Sequence, residues 1–222
     1  MALTPPPPAL PGMTPAESRS LARLGVRTAD DLVFRLPRWH VSRGVLSAFV
    51  GAVPGRAAFF RAVVAATGVF RKGRLHIIKA VLEDGAGGKA LLYWFNRPYL
   101  ASAYRKGAAL LLRDAPERAP AGLRFSGKAG TVEPLTAEDS ATLDRGDTVV
   151  FYRATTVVGQ ERARELAAAA LASRLGRIED PVPAAALARH VLLPLHDALR
   201  AAHRPAGRAA WERARRRLVF DQ

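Results

Sequence analysis

The middle of the chain, from about residue 57 to residue 134, alternates short apolar runs with turn-forming residues. The runs have the length and the two-residue periodicity of β-strands, and glycine, proline or aspartate separates each run from the next. Five strands are therefore predicted, over Ala57–Thr67, Arg74–Glu83, Lys89–Phe95, Gly107–Arg113 and Leu123–Val132. Five strands with these turns fit a small Greek-key barrel of the OB type, although the spacing alone leaves a sandwich or an SH3-like barrel open.

Helical patterns flank the predicted barrel on both sides. Thr14 and Thr28 each stand where a short helix begins, with a carboxylate three residues later in Glu17 and Asp31, which is the pattern of a capping box. We interpret the leucine-rich side of this helical hairpin as a docking face. The alternative is that the turn at Gly25 holds a DNA phosphate on its amides. The predicted fold class is α+β, a five-stranded OB-type Greek-key barrel with an N-terminal helical hairpin and a C-terminal helical segment.

These patterns divide the chain into four segments. They are a proline-rich flexible leader over 1–13, a helical segment over 14–55, the barrel over 56–135, and an acidic loop followed by helices over 136–222. The leader is predicted to be extended because a run of consecutive prolines cannot form a helix. In the last segment, helices are predicted over Glu161–Leu175 and Ala206–Val219.

Aromatic residues are concentrated where the third predicted strand ends. Four of them fall within seven residues, and Asn96 and Pro98 then interrupt the strand; the four are Tyr93, Trp94, Phe95 and Tyr99. Rings presented at a strand end can stack on the bases of DNA or RNA without reading sequence. The alternative is that the rings belong to the core of the β-domain, since aromatic side chains dominate protein cores.

The charge of the chain indicates a polyanionic partner. The formal net charge is +15, the isoelectric point is about 11.4, and nine Lys or Arg but no Asp or Glu lie between Arg35 and Lys79. Part of the excess could instead balance the acidic stretch from Glu133 to Asp147. Cations in or directly beside the predicted turns of the barrel are the candidate phosphate contacts: Arg71, Lys72, Arg74, Arg97, Arg105 and Lys106.

No catalytic or metal site is predicted. The segment Gly122–Lys128 has the spacing of a phosphate loop, but Ala129 follows without a hydroxyl for Mg²⁺, and residues 130–134 cannot supply the required helix. The chain has no cysteine, its histidines lack metal-ligand spacing, and no apolar run is long enough to span a bilayer. We therefore expect a non-enzymatic, cytoplasmic chain that needs no cofactor and no membrane.

Three segments of the sequence resemble the wedge domain of the RecG family of branched-DNA helicases. They are Leu24–Arg38, which resembles the beginning of that domain, Phe95–Leu100, which resembles its wedge signature, and Arg215–Asp221, which resembles the approach to the motor domains. The resemblance covers roughly residues 20 to 222. The sequence departs from the family pattern at Trp39-His40 and at Arg113-Asp114.

The resemblance implies a DNA-binding function at replication forks and Holliday junctions. In intact members the wedge separates strands at the branch point while ATP-driven motors pull the duplex, so ATP and Mg²⁺ are implied only for an intact member. The rings that stack on bases at the junction match Phe95 and Tyr99, and Arg97 between them could hold a phosphate. The chain is expected to serve DNA repair and recombination and to lack the motor domains.

The resemblance further implies branched and single-stranded DNA as ligands, and the single-stranded-DNA-binding protein as a possible partner. A monomer in the bacterial cytoplasm, associated with the nucleoid, is expected. The main alternative is a stand-alone OB-fold protein that binds nucleic-acid single strands or structured RNA. An enzyme whose acid and base are not visible in the sequence is a third possibility.

Overall fold

The computed structural model describes residues 12–128 and 130–220. The helices are α1 (Pro15–Ala22), α2 (Ala29–Phe34), α3 (Leu100–Ala103), α4 (Ala137–Asp144), α5 (Gln160–Arg174), α6 (Ala184–His190), α7 (Leu195–His203) and α8 (Arg208–Phe220). The strands are β1 (Trp39–Ser42), β2 (Ala58–Lys72), β3 (Leu75–Glu83), β4 (Lys89–Phe95), β5 (Ala109–Asp114), β6 (Glu117–Ala119), β7 (Gly122–Phe125), β8 (Val132–Leu135) and β9 (Thr148–Phe151).

The chain divides into two compact units. One runs from Val41 to Asp147, and the other combines the residues up to His40 with those from Thr148 onward. The first unit contains a seven-stranded sheet in the order β6-β7-β4-β3-β2-β5-β8. The second is mostly helical. The helices before and after the barrel therefore belong to one unit, whereas the sequence pattern treated them as separate segments.

A single stretch of chain closes the seven-stranded sheet into a barrel. Strand β7 pairs in parallel with β4, and β8, seven residues later, pairs antiparallel with β5 at the opposite end of the strand order. The remaining neighbours, β4 with β3, β3 with β2 and β2 with β5, are all antiparallel. This connectivity, with α3 between β4 and β5, confirms the predicted α+β class and the OB-type barrel.

Two strands of the barrel differ from the prediction: β2 continues to Lys72 instead of ending at Thr67, and the fifth predicted strand is divided in two. One strand was predicted over Leu123–Val132, but β7 ends at Phe125 and β8 begins at Val132. Gly127 lies between them against the indole of Trp94, where a Cβ would collide with the ring. The chain therefore leaves the sheet to pass over Trp94 and rejoins it on the other side. The short strand β6 was not predicted.

The core of the barrel consists of the inward side chains of β2 to β5 and β7. Phe60 is fully buried at its centre, with ring centroids 5.6 Å from Phe49 and 5.1 Å from Phe125. Along β3 and β4 the buried residues alternate with partly exposed ones, as expected for a sheet with one side facing the core. The long strand β2 carries a register shift between Val64 and Ala66, which bends it around this core.

In the other unit, the N-terminal helices dock as predicted. Both capping boxes are present, with Thr14 and Glu17 on α1 and Thr28 and Asp31 on α2. The buried apolar residues of α1, the turn and α2 lie in one cluster with residues of α5 and α7; they include Leu21, Val26, Leu32, Leu166, Leu171 and Leu199. This burial supports the docking interpretation of the hairpin.

An ion pair strengthens that docking. The Arg162 guanidinium of α5 donates to Glu17 Oε1 at 2.7 Å. Hydrogen bonds from Arg162 and from the Thr14 amide hold the pKa of the Glu17 carboxyl at about 2.

Two other segments differ from the prediction. Residues 39–55, expected to be helical, contain β1 and the 3₁₀ turn Arg43–Val45, because Trp39 and Val41 alternate with more exposed residues as in a strand. The beginning of the segment from residue 136, expected to be an acidic loop, contains the helix α4, which Thr136 caps. Most of the proline-rich leader, residues 1–11, lies outside the described residues, as does Asp221.

No helix among residues 12–128 and 130–220 combines the length and the apolar character needed to cross a membrane. Within the same ranges, no three His, Cys, Asp or Glu side chains are grouped so that they could hold a metal ion.

Two histidines, the buried His203 and the partly buried His40, connect segments of the mostly helical unit. The Tyr152 hydroxyl donates to His203 Nδ1 at 2.6 Å, and His203 Nε2 donates to the carbonyl of Val33 at 2.8 Å. His40 Nε2 donates to the carbonyl of Ala202 at 2.6 Å. Burial penalises the charged imidazolium more than the hydrogen bonds to the carbonyls of Ala202 and Val33 favour it, so the pKa values of both histidines lie below the usual 6.5.

The lowered pKa values of His40 and His203 predict that the free energy of unfolding decreases in mild acid. The contribution of each neutral imidazole is complete above about pH 6.5 and is lost as the pH falls toward the lowered native pKa, because the unfolded chain then binds more protons. Each histidine can cost at most about 1.4 kcal/mol of unfolding free energy per pH unit. Urea unfolding at pH 7.5, 6.5 and 5.5 measures this change, and His203→Gln should flatten the pH dependence. A free energy of unfolding that does not change with pH would contradict the prediction.

Candidate nucleic-acid interface

Three of the predicted phosphate contacts lie at the tip of the hairpin that joins β2 to β3. The turn contains only Gly73 and Arg74, and Gly73 has a φ of +59°, which a glycine adopts without strain. Arg71, Lys72 and Arg74 are all exposed there. No Asp or Glu occurs in the sequence between Asp31 and Glu83. The hairpin tip is therefore a concentrated positive charge.

Asn96 fixes the end of β4 against the beginning of β3. Its backbone adopts a left-handed conformation with a φ of 56°, its amide donates to the carbonyl of His76 at 2.8 Å, and its Oδ1 accepts from the His76 amide at 3.2 Å. The chain leaves the sheet at this residue and enters α3 after Pro98. The interruption predicted from Asn96 and Pro98 is thus present.

This local geometry leaves two of the four clustered rings in solvent and buries one in the core. Phe95 is 53% exposed and Tyr99 is 66% exposed, whereas Trp94 is buried and Tyr93 is partly buried. Alternation along β4 explains the difference between Trp94 and Phe95, because neighbouring residues of a strand face opposite sides. The two exposed rings are those predicted to stack on bases.

A buried aromatic pair anchors the exposed rings. Trp94 and Tyr104 stack with their ring centroids 4.8 Å apart and an interplanar angle of 8°. Burial raises the pKa of the Tyr104 hydroxyl to about 12. The carbonyl of Tyr104 also accepts a hydrogen bond from the Thr67 hydroxyl at 2.6 Å. Residues 95–103 are therefore held at both ends.

The other predicted cations lie further from the hairpin tip. Arg97, which stands between Phe95 and Tyr99 in the sequence, is partly buried. Arg105 and Lys106 are exposed in the turn before β5. That turn contacts β2 at Val64, where the Gly107 amide donates to the carbonyl at 2.8 Å. Val64 precedes the end of β2 by eight residues, or roughly 25 Å of strand. The structure therefore divides the predicted cations into a hairpin group and a group beside α3.

Sequence reasoning missed a set of side chains on the outer side of the sheet. Phe70 is opposite Ile77 on β3, and Ile77 is opposite Phe95 on β4, so the three side chains form one row across the sheet. In the next row on the same side, Lys79 lies between Gly68 and Tyr93. Pairing β2 with β3 about the turn at Gly73 would have revealed the row from the sequence.

The segment with phosphate-loop spacing does not have the required structure. Residues Gly122–Phe125 are strand β7 and residues Val132–Leu135 are strand β8. A phosphate loop needs a helix N-terminus directly after it. Ala129, on which the sequence argument also rested, lies outside the described residues.

Comparison with known proteins identifies the family. The RecG wedge domain family matches residues 11–168, which is more than half of the chain. The chain belongs to the RecG wedge domain family. The similarity extends beyond the matched region in individual relatives.

Similar proteins include bacterial helicases of much greater length. The chain is 24% identical over 215 residues to the ATP-dependent DNA helicase RecG of Thermotoga maritima, covering 95% of this chain and 26% of that protein. It is 27% identical over 234 residues to the ATP-dependent DNA helicase RecG of Mycobacterium tuberculosis, covering 90% of this chain and 30% of that protein. The wedge domain chain thus spans less than a third of these relatives.

A solved structure of RecG bound to a three-way DNA junction has the same fold. It matches 95% of this chain and 28% of that chain with a TM-score of 0.61 and 22% sequence identity. This likeness agrees with the fold given by the strand pairing. It does not test the individual site residues, whose roles stay predictions.

The exposure of the rings predicts how substitutions affect stability. Phe95→Ala and Tyr99→Ala should each change the unfolding free energy by no more than about 1 kcal/mol, because most of either ring is already in solvent. Trp94→Ala should cost about 3 to 5 kcal/mol, because it leaves a cavity beside Tyr104. Urea unfolding of the three variants measures this. An equal loss of unfolding free energy in Trp94→Ala and Phe95→Ala would show that Phe95 belongs to the core.

Proposed function

We propose that this wedge domain binds branched DNA for a RecG-type helicase, in DNA repair and recombination. The observation that carries the proposal is the pair of exposed rings, Phe95 and Tyr99, at a strand end fixed by Asn96 and anchored by the buried stack of Trp94 on Tyr104. Rings held rigidly in solvent lose little conformational entropy when they stack on a base. At a branch point, unpaired bases are available for such stacking.

The cations have a separate role in the proposal. Phosphate contacts supply affinity and orientation without sequence information. Arg97 lies between the two rings and would contact the backbone of the nucleotides they stack on. The hairpin cations Arg71, Lys72 and Arg74 and the pair Arg105 and Lys106 would contact phosphates further along the strands, since the turn that carries the pair contacts β2 roughly 25 Å of strand from the hairpin tip.

Strand separation follows from combining the two kinds of contact. Unpaired bases that stack on Phe95 and Tyr99 gain a contact that bases inside the duplex cannot make, so the domain stabilises the parted strands at replication forks and Holliday junctions. Movement of the DNA would come from ATP-driven motors, and ATP and Mg²⁺ would be needed only there. We propose that this chain alone does not hydrolyse ATP, since the segment that has phosphate-loop spacing begins as strand β7 and the next regular element after it is strand β8, not a helix.

The remaining parts of the proposal concern the setting. Branched and single-stranded DNA are the proposed ligands, and the single-stranded-DNA-binding protein is a possible partner. We propose that the domain acts as a monomer in the bacterial cytoplasm, close to the nucleoid.

The rings are tested with forked and linear DNA. Phe95→Ala or Tyr99→Ala should weaken binding to a fork by about 1 to 3 kcal/mol per lost stack. Binding to linear duplex should barely change, because phosphate contacts carry it. Fluorescence anisotropy with labelled fork, duplex and structured RNA measures the three affinities. Phe34→Ala is the control, since Phe34 of α2 is also an exposed phenylalanine, at 51%.

Two results would contradict the proposed function. Unchanged fork affinity in both ring variants, with duplex affinity also unchanged, would show that the rings do not contact the junction. Tighter binding to structured RNA than to the fork would favour the alternative of an RNA-binding OB protein.

The cations are tested through the dependence of binding on salt. Each phosphate neutralised contributes about −0.9 to the slope of log affinity against log salt for duplex DNA. A triple variant, Arg71→Gln, Lys72→Gln and Arg74→Gln, should therefore have a shallower slope by about 0.9 for each lost phosphate contact. Arg145→Gln is the control, because Arg145 already has a carboxylate partner in Asp147. Equal slopes for the triple variant and the control would place the phosphate contacts elsewhere.

A further inference from the structure

The row formed by Phe70, Ile77 and Phe95 continues the exposed surface at Phe95 toward the hairpin tip. Adjacent strands are about 4.8 Å apart, so Phe70 lies about 10 Å from Phe95 across Ile77. Phe70 is 55% exposed, nearly the same fraction as Phe95. The row ends directly beside Arg71 and Lys72. A half-exposed phenylalanine could be incidental, but here it is in register with one of the proposed stacking rings.

The ring of Phe70 is folded back along its own strand. A Cβ added at Gly68 would lie 3.1 Å from Phe70 Cε2 and 3.3 Å from Phe70 Cζ, so the far edge of the ring is over Gly68. A ring that lies along a strand presents a face to solvent, and a face is what a base stacks on. Gly68 has no Cβ to push the ring away from this position.

The neighbouring side chains make the row suitable for a polyanion. Lys79 lies beside the row between Gly68 and Tyr93, and Arg71, Lys72 and Arg74 follow at the tip. Protein partners of basic apolar surfaces would be acidic, but an acidic peptide does not supply flat bases. Single-stranded DNA supplies both a negative backbone and stacking faces.

We propose that Phe70 is a third base-stacking residue, and that one DNA strand leaving the junction crosses the outer side of β4, β3 and β2 from Phe95 to Phe70. Its phosphates meet Lys79 and the cations of the hairpin tip. The inference rests on the proposed function, because the path begins at Phe95. It adds a second contact away from the branch point, so that the parted strand is held after it has separated.

The experiment compares three substitutions on the same hairpin in the full 222-residue chain. Phe70→Leu keeps an apolar side chain but removes the aromatic face, and Phe70→Trp keeps a face. Val69→Ala is the matched control, because Val69 is 50% exposed and points to the opposite side of β2, opposite the buried Ile78. Anisotropy with a labelled thymidine oligonucleotide and with a fork carrying a single-stranded arm measures affinity. Thermal melts accompany each variant.

Phe70→Leu is expected to weaken binding of the oligonucleotide and of the armed fork by about 5- to 150-fold, the effect of one lost stack. Phe70→Trp and Val69→Ala are expected to bind like the parent chain. Gly68→Ala provides an independent check, because it moves the ring without removing it. It should weaken binding in the parent and have no further effect in the Phe70→Leu background.

The outcomes separate this inference from the proposed function. If Phe95→Ala and Tyr99→Ala weaken fork binding but Phe70→Leu binds like Val69→Ala, the strand path is wrong and the junction contact stands. If Phe70→Leu lowers the melting temperature, the comparison with Phe70→Trp decides, since equal affinities of the two variants would overturn the stacking role. If Phe95→Ala and Tyr99→Ala have no effect, the proposed function fails, and with it the path that begins at Phe95.

Discussion

The packing around Trp94 is the constraint on which both the barrel and its exposed rings depend. The indole stacks on Tyr104, which ends the excursion through α3, and Gly127 passes over the same indole between β7 and β8. One side chain therefore connects the end of β4, the helix that follows it and the segment that closes the barrel. Phe95 is its neighbour on the strand, so its direction into solvent is fixed by the burial of Trp94 on the other side.

Two carboxylates of the barrel unit pair with cations away from the hairpin tip, which leaves the cations at the tip available to contact phosphates. Asp144 pairs with Arg61, and Glu117 pairs with Arg124, so two carboxylates of the barrel unit neutralise cations away from the hairpin tip. Asp144, in the acidic stretch after β8, thus neutralises Arg61 of the basic stretch from Arg35 to Lys79. This agrees with the alternative in which part of the excess positive charge balances acidic residues. The cations at the hairpin tip repel one another, and binding a polyanion would relieve that repulsion.

Much of this fold could be predicted because its signals are local. Capping residues at Thr14 and Thr28, and the interruption at Asn96, each act within a few residues of the structure they determine. The split of the fifth strand could not be predicted, since it depends on a contact between Gly127 and a residue about thirty positions earlier. Phe70 was overlooked for a related reason. Phe70 is in line with Phe95 only through the pairing of β2 with β3 and of β3 with β4, and this register is not visible when each strand is considered separately.

An exposed apolar row on a sheet is normally a liability, because it invites association with other chains. In this barrel the row from Phe70 to Phe95 lies beside the cations of the hairpin tip, Arg71, Lys72 and Arg74. A second copy of the chain would bring the same positive charge against this row, and the like charges would repel one another. The same cations attract DNA. The combination therefore disfavours self-association through this surface, and in the proposed strand path it favours a ligand that has both phosphates and flat bases, without any sequence-specific contact.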